Sequence, residues 1–203
     1  MTPEAAARKM AGMSTATISD ALFRMGHKSR TMKPRIKPVD PSMRVFGPAL
    51  TVHAYPGGTH ASSLALNAVR EGEVIVMDVG GFIDNIMWGE IFSHMAAVAG
   101  CAGAVIDGSV RDIEGVMEIG FPLFAAGLSP QAGTGDKLGE INIPIACAGV
   151  VVNPGDYVYG DRLGVVVVPP EMAEETLDRC RQIIEKEDAR LVELKAQLKE
   201  RGQ

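Results

Sequence analysis

Short, continuous apolar runs alternate along this chain with glycine-bearing turns and stretches of helical spacing, a pattern that predicts an α/β domain. Residues 2–25 have helical spacing with a break between 14 and 19. Ser19-Asp20 ahead of Ala21-Leu22-Phe23 looks like a second helix start, and Gly26 like its stop. Residues 31–41, rich in Lys, Arg and Pro, predict an irregular or extended connection. Strands are predicted at 46–52, 74–79, 104–107, 121–125, 145–152 and 164–168, the last a valine run. Helices are predicted at about 88–99, after a turn at Gly80-Gly81, and at 113–119. The glycine-rich segment 130–144 reads as a loop or hairpin. Pro169-Pro170 ends the last strand, and one long charged helix runs from 171 to about 201–202. Its Leu177, Ile183, Ile184, Leu191, Leu194 and Leu198 fall near helical spacing. Apolar strands between helices imply a core sheet covered on both faces. A helix this long on a small domain is expected to lie against a neighbouring subunit.

Composition narrows the picture. A length of 203 residues suits a single domain over 1–203, and 46% hydrophobic content excludes disorder. Apolar content this high in a small chain suggests burial between subunits. A net charge of −5 without a lysine/arginine run leaves no basic face for nucleic acid. The three cysteines, Cys101, Cys147 and Cys180, cannot pair completely and read as reduced cytosolic thiols. With neither a signal-peptide core nor a span-length apolar stretch, the expectation is a soluble cytoplasmic protein without membrane partners.

Candidate chemistry concentrates between Gly80 and Asp112. Two predicted strand ends, at Asp78 and Asp107, lead into glycine-bearing turns, and open α/β sheets gather ligands at such ends. After the first, Trp88-Gly89-Glu90-Ile91-Phe92 begins a helix whose free N–H groups can hold a carboxylate, with Gly89 allowing close approach. The second, Asp107-Gly108-Ser109-Val110-Arg111-Asp112, delivers a guanidinium beside a carboxylate. A carboxylate is a hard ligand for Mg²⁺ or Mn²⁺, and arginine can pair with a second anionic group without competing for the metal. Plainer readings stand beside these: a loop ion pair, Asp112 as a helix cap, Glu90 as a first-turn glutamate. On these residues alone both readings remain open.

The wider pattern is more specific. Glu90 is followed by twenty residues and then Arg111-Asp112, within GEVIVMDVGG, WGE, GAVIDGSVRD, IGFPLFAAG and PGDYVYGDRLGVVVVP. This text resembles the family of 4-hydroxy-4-methyl-2-oxoglutarate aldolase, 4-carboxy-4-hydroxy-2-oxoadipate aldolase and the RraA regulators of ribonuclease activity, from about Ser19 to the C-terminal helix. The resemblance implies a swivelling β/β/α-type, RraA-like fold with a mixed central sheet flanked by helices. It also implies a class II aldolase, dependent on Mg²⁺ or Mn²⁺, that cleaves 4-hydroxy-2-oxo dicarboxylic acids to pyruvate and decarboxylates oxaloacetate. In that reading Asp112 is the metal ligand and Arg111 contacts the carbonyl or enolate oxygen. The Gly89-Glu90-Ile91-Phe92 amides hold the substrate carboxylate, and Glu90 holds water at the metal. A neighbouring subunit's Glu185 or Glu187 would complete the site in a homotrimer or dimer of trimers. The chain departs from the family at Ile91-Phe92-Ser93, where many members have two leucines and an alanine. It departs again at Gly57-Gly58-Thr59-His60, in place of Gly-Asp-Asn.

The remaining polar residues suggest less. A Schiff-base aldolase needs a buried lysine, and Lys9, Lys28, Lys33, Lys37, Lys137, Lys186, Lys195 and Lys199 all fall outside apolar strand contexts. His27, His53, His60 and His94 lack zinc-site spacing. Cys101 has no local partner for a nucleophile, Asp161 reads as structural, and the methionines read as core filler. The alternative to an enzyme is an RraA-type protein that binds and inhibits a ribonuclease. A methyltransferase of menaquinone synthesis would need a strand–GxGxG–helix turn, which the sequence lacks.

Overall fold

A mixed sheet forms the centre of the computed structural model, which describes residues 1–135 and 138–201. Along the chain the elements are α1 (Pro3–Met10), α2 (Thr15–Arg24), β1 (Lys37–Pro38), β2 (Val45–His53), α3 (His60–Ala68), β3 (Val74–Trp88) and α4 (Glu90–Val98). Then come β4 (Gly103–Val110), α5 (Ile113–Glu118), β5 (Leu123–Leu128), β6 (Glu140–Ile141), β7 (Ile145–Cys147) and β8 (Val150–Val152). The last are β9 (Tyr157–Asp161), β10 (Gly164–Val168), a 3₁₀ turn (Pro170–Met172) and α6 (Ala173–Glu200). The sheet runs β1-β5-β4-β3-β2-β9-β10, with β6 on the side of β2. Strands β2 to β5 are mutually parallel, and β1, β6, β9 and β10 pair antiparallel.

Three apolar clusters explain the patterning. Leu50, Met77 and Ile106 pack beneath α3, α4 and α5 on one face. Val76, Val105 and Phe124 pack beneath the β7–β8 hairpin on the other. Tyr159, Val166 and Val168 pack against α1, α2 and α6. The valine run of β10 is buried on both faces, Val165 and Val167 towards the hairpin and Val166 and Val168 towards the helices.

Several elements differ from the sequence reading. Ser14 caps α2, its side chain accepting from the Ala16 amide, and Ser19 lies inside the helix, its hydroxyl bonded to that of Thr31. The start of α2 is also held by Asp161, which accepts the Thr15 amide at 2.9 Å and hydroxyl at 2.7 Å, a structural role as expected. Strand β3 does not end at Gly80-Gly81. Both glycines adopt positive φ (67° and 79°), so the strand kinks and re-pairs with β4 in a shifted register through Trp88. The run 145–152 is two strands, reversed at Ala148 (φ 46°) and Gly149 (φ 84°). Strand β9 occupies a segment for which the sequence predicted no strand, and the strand expected at 121–125 begins at Leu123.

Lys37 lies in β1 but is exposed, and its ammonium donates to the Leu163 carbonyl; Lys137 and Gly202 lie outside the described residues. The cysteines are free and buried. Among the described residues, no helix is long and apolar enough to cross a membrane. Helix α6 is buried only as far as Ile183; Leu191, Leu194 and Leu198 are exposed.

Candidate active site

The irregular second half of β3 sets up the site. Because the strand continues to Trp88, α4 starts next to the carboxyl end of β4, with Gly89 as its N-cap. The Trp88 carbonyl accepts the Arg111 amide at 3.2 Å, so the two segments are stitched at the point where both leave the sheet. Gly89 lies so close to the next turn that a Cβ there would sit 3.4 Å from Asp112 Oδ2 and 3.5 Å from Arg111 Cγ. The first hydrogen bond of α4 runs from the Ser93 amide to the Gly89 carbonyl. Among the described residues, the Glu90, Ile91 and Phe92 amides have no backbone partner.

Arg111 and Asp112 stand at the start of α5. Asp112 is the N-cap by position, yet its side chain makes no capping hydrogen bond. Its backbone is left-handed (φ 54°, ψ 42°), a conformation that a non-glycine residue holds at some cost. The carboxylate is half exposed, and its Oδ2 accepts from Arg111 Nε at 3.1 Å. The capping alternative therefore falls, while the loop ion pair between Arg111 and Asp112 is present. The turn borders an open cleft of about 380 Å³, lined by Arg111, Asp112, Ile113, Leu128, Ser129 and Pro130.

Glu90 is partly buried and reaches α5. Its carboxylate packs directly on Gly115, where an added Cβ would meet both carboxylate oxygens at 2.5 Å. Gly115→Ala should therefore displace Glu90 and lower turnover by about 100-fold or more, the range of a lost proton-transfer group. The same change strengthens a helix interior by up to about 1 kcal/mol, so the melting temperature should hold or rise. Turnover unchanged in a well-folded variant would remove Glu90 from the site.

The structure thus gathers Gly89, Glu90, Arg111 and Asp112 at adjoining helix starts. Ile91 and Phe92 carry two of the amides without a backbone partner; the Ile91 side chain is 76% exposed, and Phe92 packs on Trp88 at 5.4 Å between ring centroids. Asp107 belongs elsewhere. It is buried, takes two 2.7 Å hydrogen bonds from Arg35 and accepts the Ala148 amide at 2.9 Å. Glu185 and Glu187 lie on α6 beyond Ile183, its last buried residue, and are exposed. The 57–60 loop pairs with the 131–135 segment, the Thr134 amide bonding the Gly57 carbonyl at 2.6 Å. Gly115 and the Leu128–Pro130 wall were missed in the sequence, for want of any local motif.

Among the described residues, no three His, Cys, Asp or Glu side chains converge as a metal cluster. The donor set nonetheless fits a hard divalent cation that keeps most of its ligands as water or substrate oxygens, as Mg²⁺ does. Asp112 would be its protein ligand, with Glu90 hydrogen-bonding to its water.

Comparison with known proteins agrees on the family. The profile of the family described as RraA-like, Aldolase/RraA, matches residues 15–167. A Halalkalibacterium halodurans protein named "Putative 4-hydroxy-4-methyl-2-oxoglutarate aldolase" is 36% identical, over 87% of this chain and 82% of its own. Among solved structures, an uncharacterised Pseudomonas syringae protein superposes with a TM-score of 0.81 at 30% identity, covering 96% of this chain and 93% of that one. Streptomyces coelicolor RraAS2, described as an unusual member of the RNase ES inhibitor RraA protein family, gives 0.83 at 27% identity, covering 95% and 100%.

Proposed function

The chain belongs to the RraA-like, Aldolase/RraA family, and from that premise we propose a class II aldolase that cleaves 4-hydroxy-2-oxo dicarboxylic acids to pyruvate. The observation that carries the proposal is the packing of the Gly89 backbone against Arg111 and Asp112, which line the cleft, with the Glu90 carboxylate alongside on Gly115 of α5. Mg²⁺ or Mn²⁺ on Asp112, when bound, would act as a Lewis acid on the 2-oxo group. The chain's own groups supply the rest. The amides at the start of α4 hold the substrate carboxylate, aided by the helix dipole. The Arg111 guanidinium faces the 2-oxo oxygen and stabilises the negative charge that collects there when C3–C4 breaks. Glu90, through water, takes the 4-hydroxyl proton, and a proton returns to C3 to give pyruvate. Oxaloacetate would develop charge on the same oxygen as it loses CO₂, so decarboxylation belongs to the same proposal.

The proposed assembly is a homotrimer or dimer of trimers, supported by the exposed apolar Ile91, Met95 and Val98 on α4. A second reading, a regulator that inhibits a ribonuclease, draws on the likeness to Streptomyces RraAS2 and the inhibitor family it is assigned to. The complete Glu90 and Arg111-Asp112 set favours catalysis. Pyruvate release from 4-hydroxy-4-methyl-2-oxoglutarate and from oxaloacetate, with Mg²⁺ and with EDTA, decides between them. The expected result is turnover with Mg²⁺ that EDTA returns to the uncatalysed rate. No turnover with either substrate, or turnover indifferent to EDTA, would sink the aldolase proposal.

A further inference from the structure

Ser93 lies in the first turn of α4 and is fully buried. A buried hydroxyl in a helix must find partners, and this one finds two that flank the site. Its Oγ accepts the indole N–H of Trp88 at 3.0 Å and donates to the Gly89 carbonyl at 3.0 Å, which also accepts the Ser93 amide. Trp88 in turn holds the Arg111 amide through its carbonyl, and its buried ring packs on Phe92. One hydroxyl therefore ties the tryptophan before the helix start to the peptide at that start, the peptide that lies against the Asp112 carboxylate.

We infer that Ser93 is a positioning residue: its hydroxyl locks Trp88 and the Gly89 peptide so that the amides of α4 face the Arg111-Asp112 turn. This deepens the proposed function and rests on that reading of the site. Without the hydroxyl, the indole N–H is unpaired and the Gly89 carbonyl loses one of two donors, so the segment gains freedom to rotate. Amides that bind the substrate carboxylate act equally on ground and transition states. Their loosening should raise KM while leaving kcat nearly unchanged.

Trp88 is the only tryptophan, so the protein gives a single indole N–H resonance in a ¹H–¹⁵N spectrum. In Ser93→Ala that resonance should move upfield and exchange faster with water. Binding of oxalate in the presence of Mg²⁺, followed by the same resonance and by calorimetry, should weaken about 10-fold. KM for oxaloacetate should rise by a similar factor, with kcat within about twofold. Ser93→Thr keeps the hydroxyl and should restore the indole shift and most of the oxalate affinity. An Ala variant that binds oxalate as tightly as the parent, or a kcat loss with KM unchanged, would overturn the positioning role. If the parent itself shows the Ser93-dependent resonance but no response to oxalate, the reading of the site fails, and this role with it.

Discussion

Asp112→Asn is expected to cut metal-supported pyruvate release by about 10²–10³-fold while leaving the fold intact. The charge lost is the proposed protein ligand of the cation, and weakening the electrostatic stabilisation that the cation would give a developing oxyanion costs about 3–4 kcal/mol. Each 1.4 kcal/mol is about a factor of ten in rate. Stability should barely move, because the side chain is half exposed and makes no capping bond. Asparagine also tolerates the left-handed backbone that Asp112 adopts at φ 54°. A companion variant separates the two roles a residue at this position could have. Asp112→Gly relieves the backbone strain and should hold stability or raise it by about 1 kcal/mol, while being as inactive as Asp112→Asn. A structural cap behaves the other way, with the glycine variant less stable and activity lost only through unfolding. Pyruvate assays with a Mg²⁺ titration, beside thermal melts, read both outcomes. Full activity in Asp112→Asn would move the cation to another ligand.

What the sequence disclosed here followed the range of the physics involved. The valine run of β10 and the short helix α5 are local signals, dictated by their own residues, and both were legible. Glu90, Arg111 and Asp112 were legible because a fixed separation along the chain carried them as a set, although nothing local showed that Gly89 and Asp112 would lie side by side. The end of β3 was misread for a physical reason. A glycine pair normally signals a turn, but here the left-handed glycines are absorbed as irregularities within a strand that keeps its partner β4. The single strand expected at 145–152 failed because Ala148-Gly149 lacks the usual Asn-Gly or Asp-Gly signature of a tight hairpin. Gly115 could not be read from the sequence at all. Its meaning lies in the carboxylate of Glu90, twenty-five positions earlier.

Arg35→Ala should produce the largest loss of stability among single changes in the polar groups, about 3 kcal/mol. Asp107 is 1% exposed and accepts two 2.7 Å hydrogen bonds from Arg35, with one more from the Ala148 amide. The bond to Asp107 also holds the Arg35 guanidinium above its ordinary pKa, outweighing the effect of burial. Removing one partner of a buried pair leaves an uncompensated charge and costs about 3–5 kcal/mol. Arg35 is itself 34% exposed, so water can partly replace it, and the lower end applies. That is a large part of the roughly 5–15 kcal/mol that holds a domain together. Asp107→Asn should cost a similar amount by leaving the guanidinium with a weaker acceptor. The double variant should cost little more than the worse single one, because both changes remove the same interaction. Arg35→Lys keeps the charge without the fork and should fall between. Denaturant melts of the parent and these variants measure the coupling, and additive losses would show that the pair acts as two independent surface groups. The pair matters beyond stability. Arg35 also lies against Gly81, where a Cβ would sit 3.0 Å from its Nη2, so it clamps the kink of β3 to β4 at Asp107, within the strand and short of its end at Val110. From those two points the chain leads into Gly89 and Arg111-Asp112. Loss of the clamp should therefore lower turnover even at temperatures where the variant remains folded.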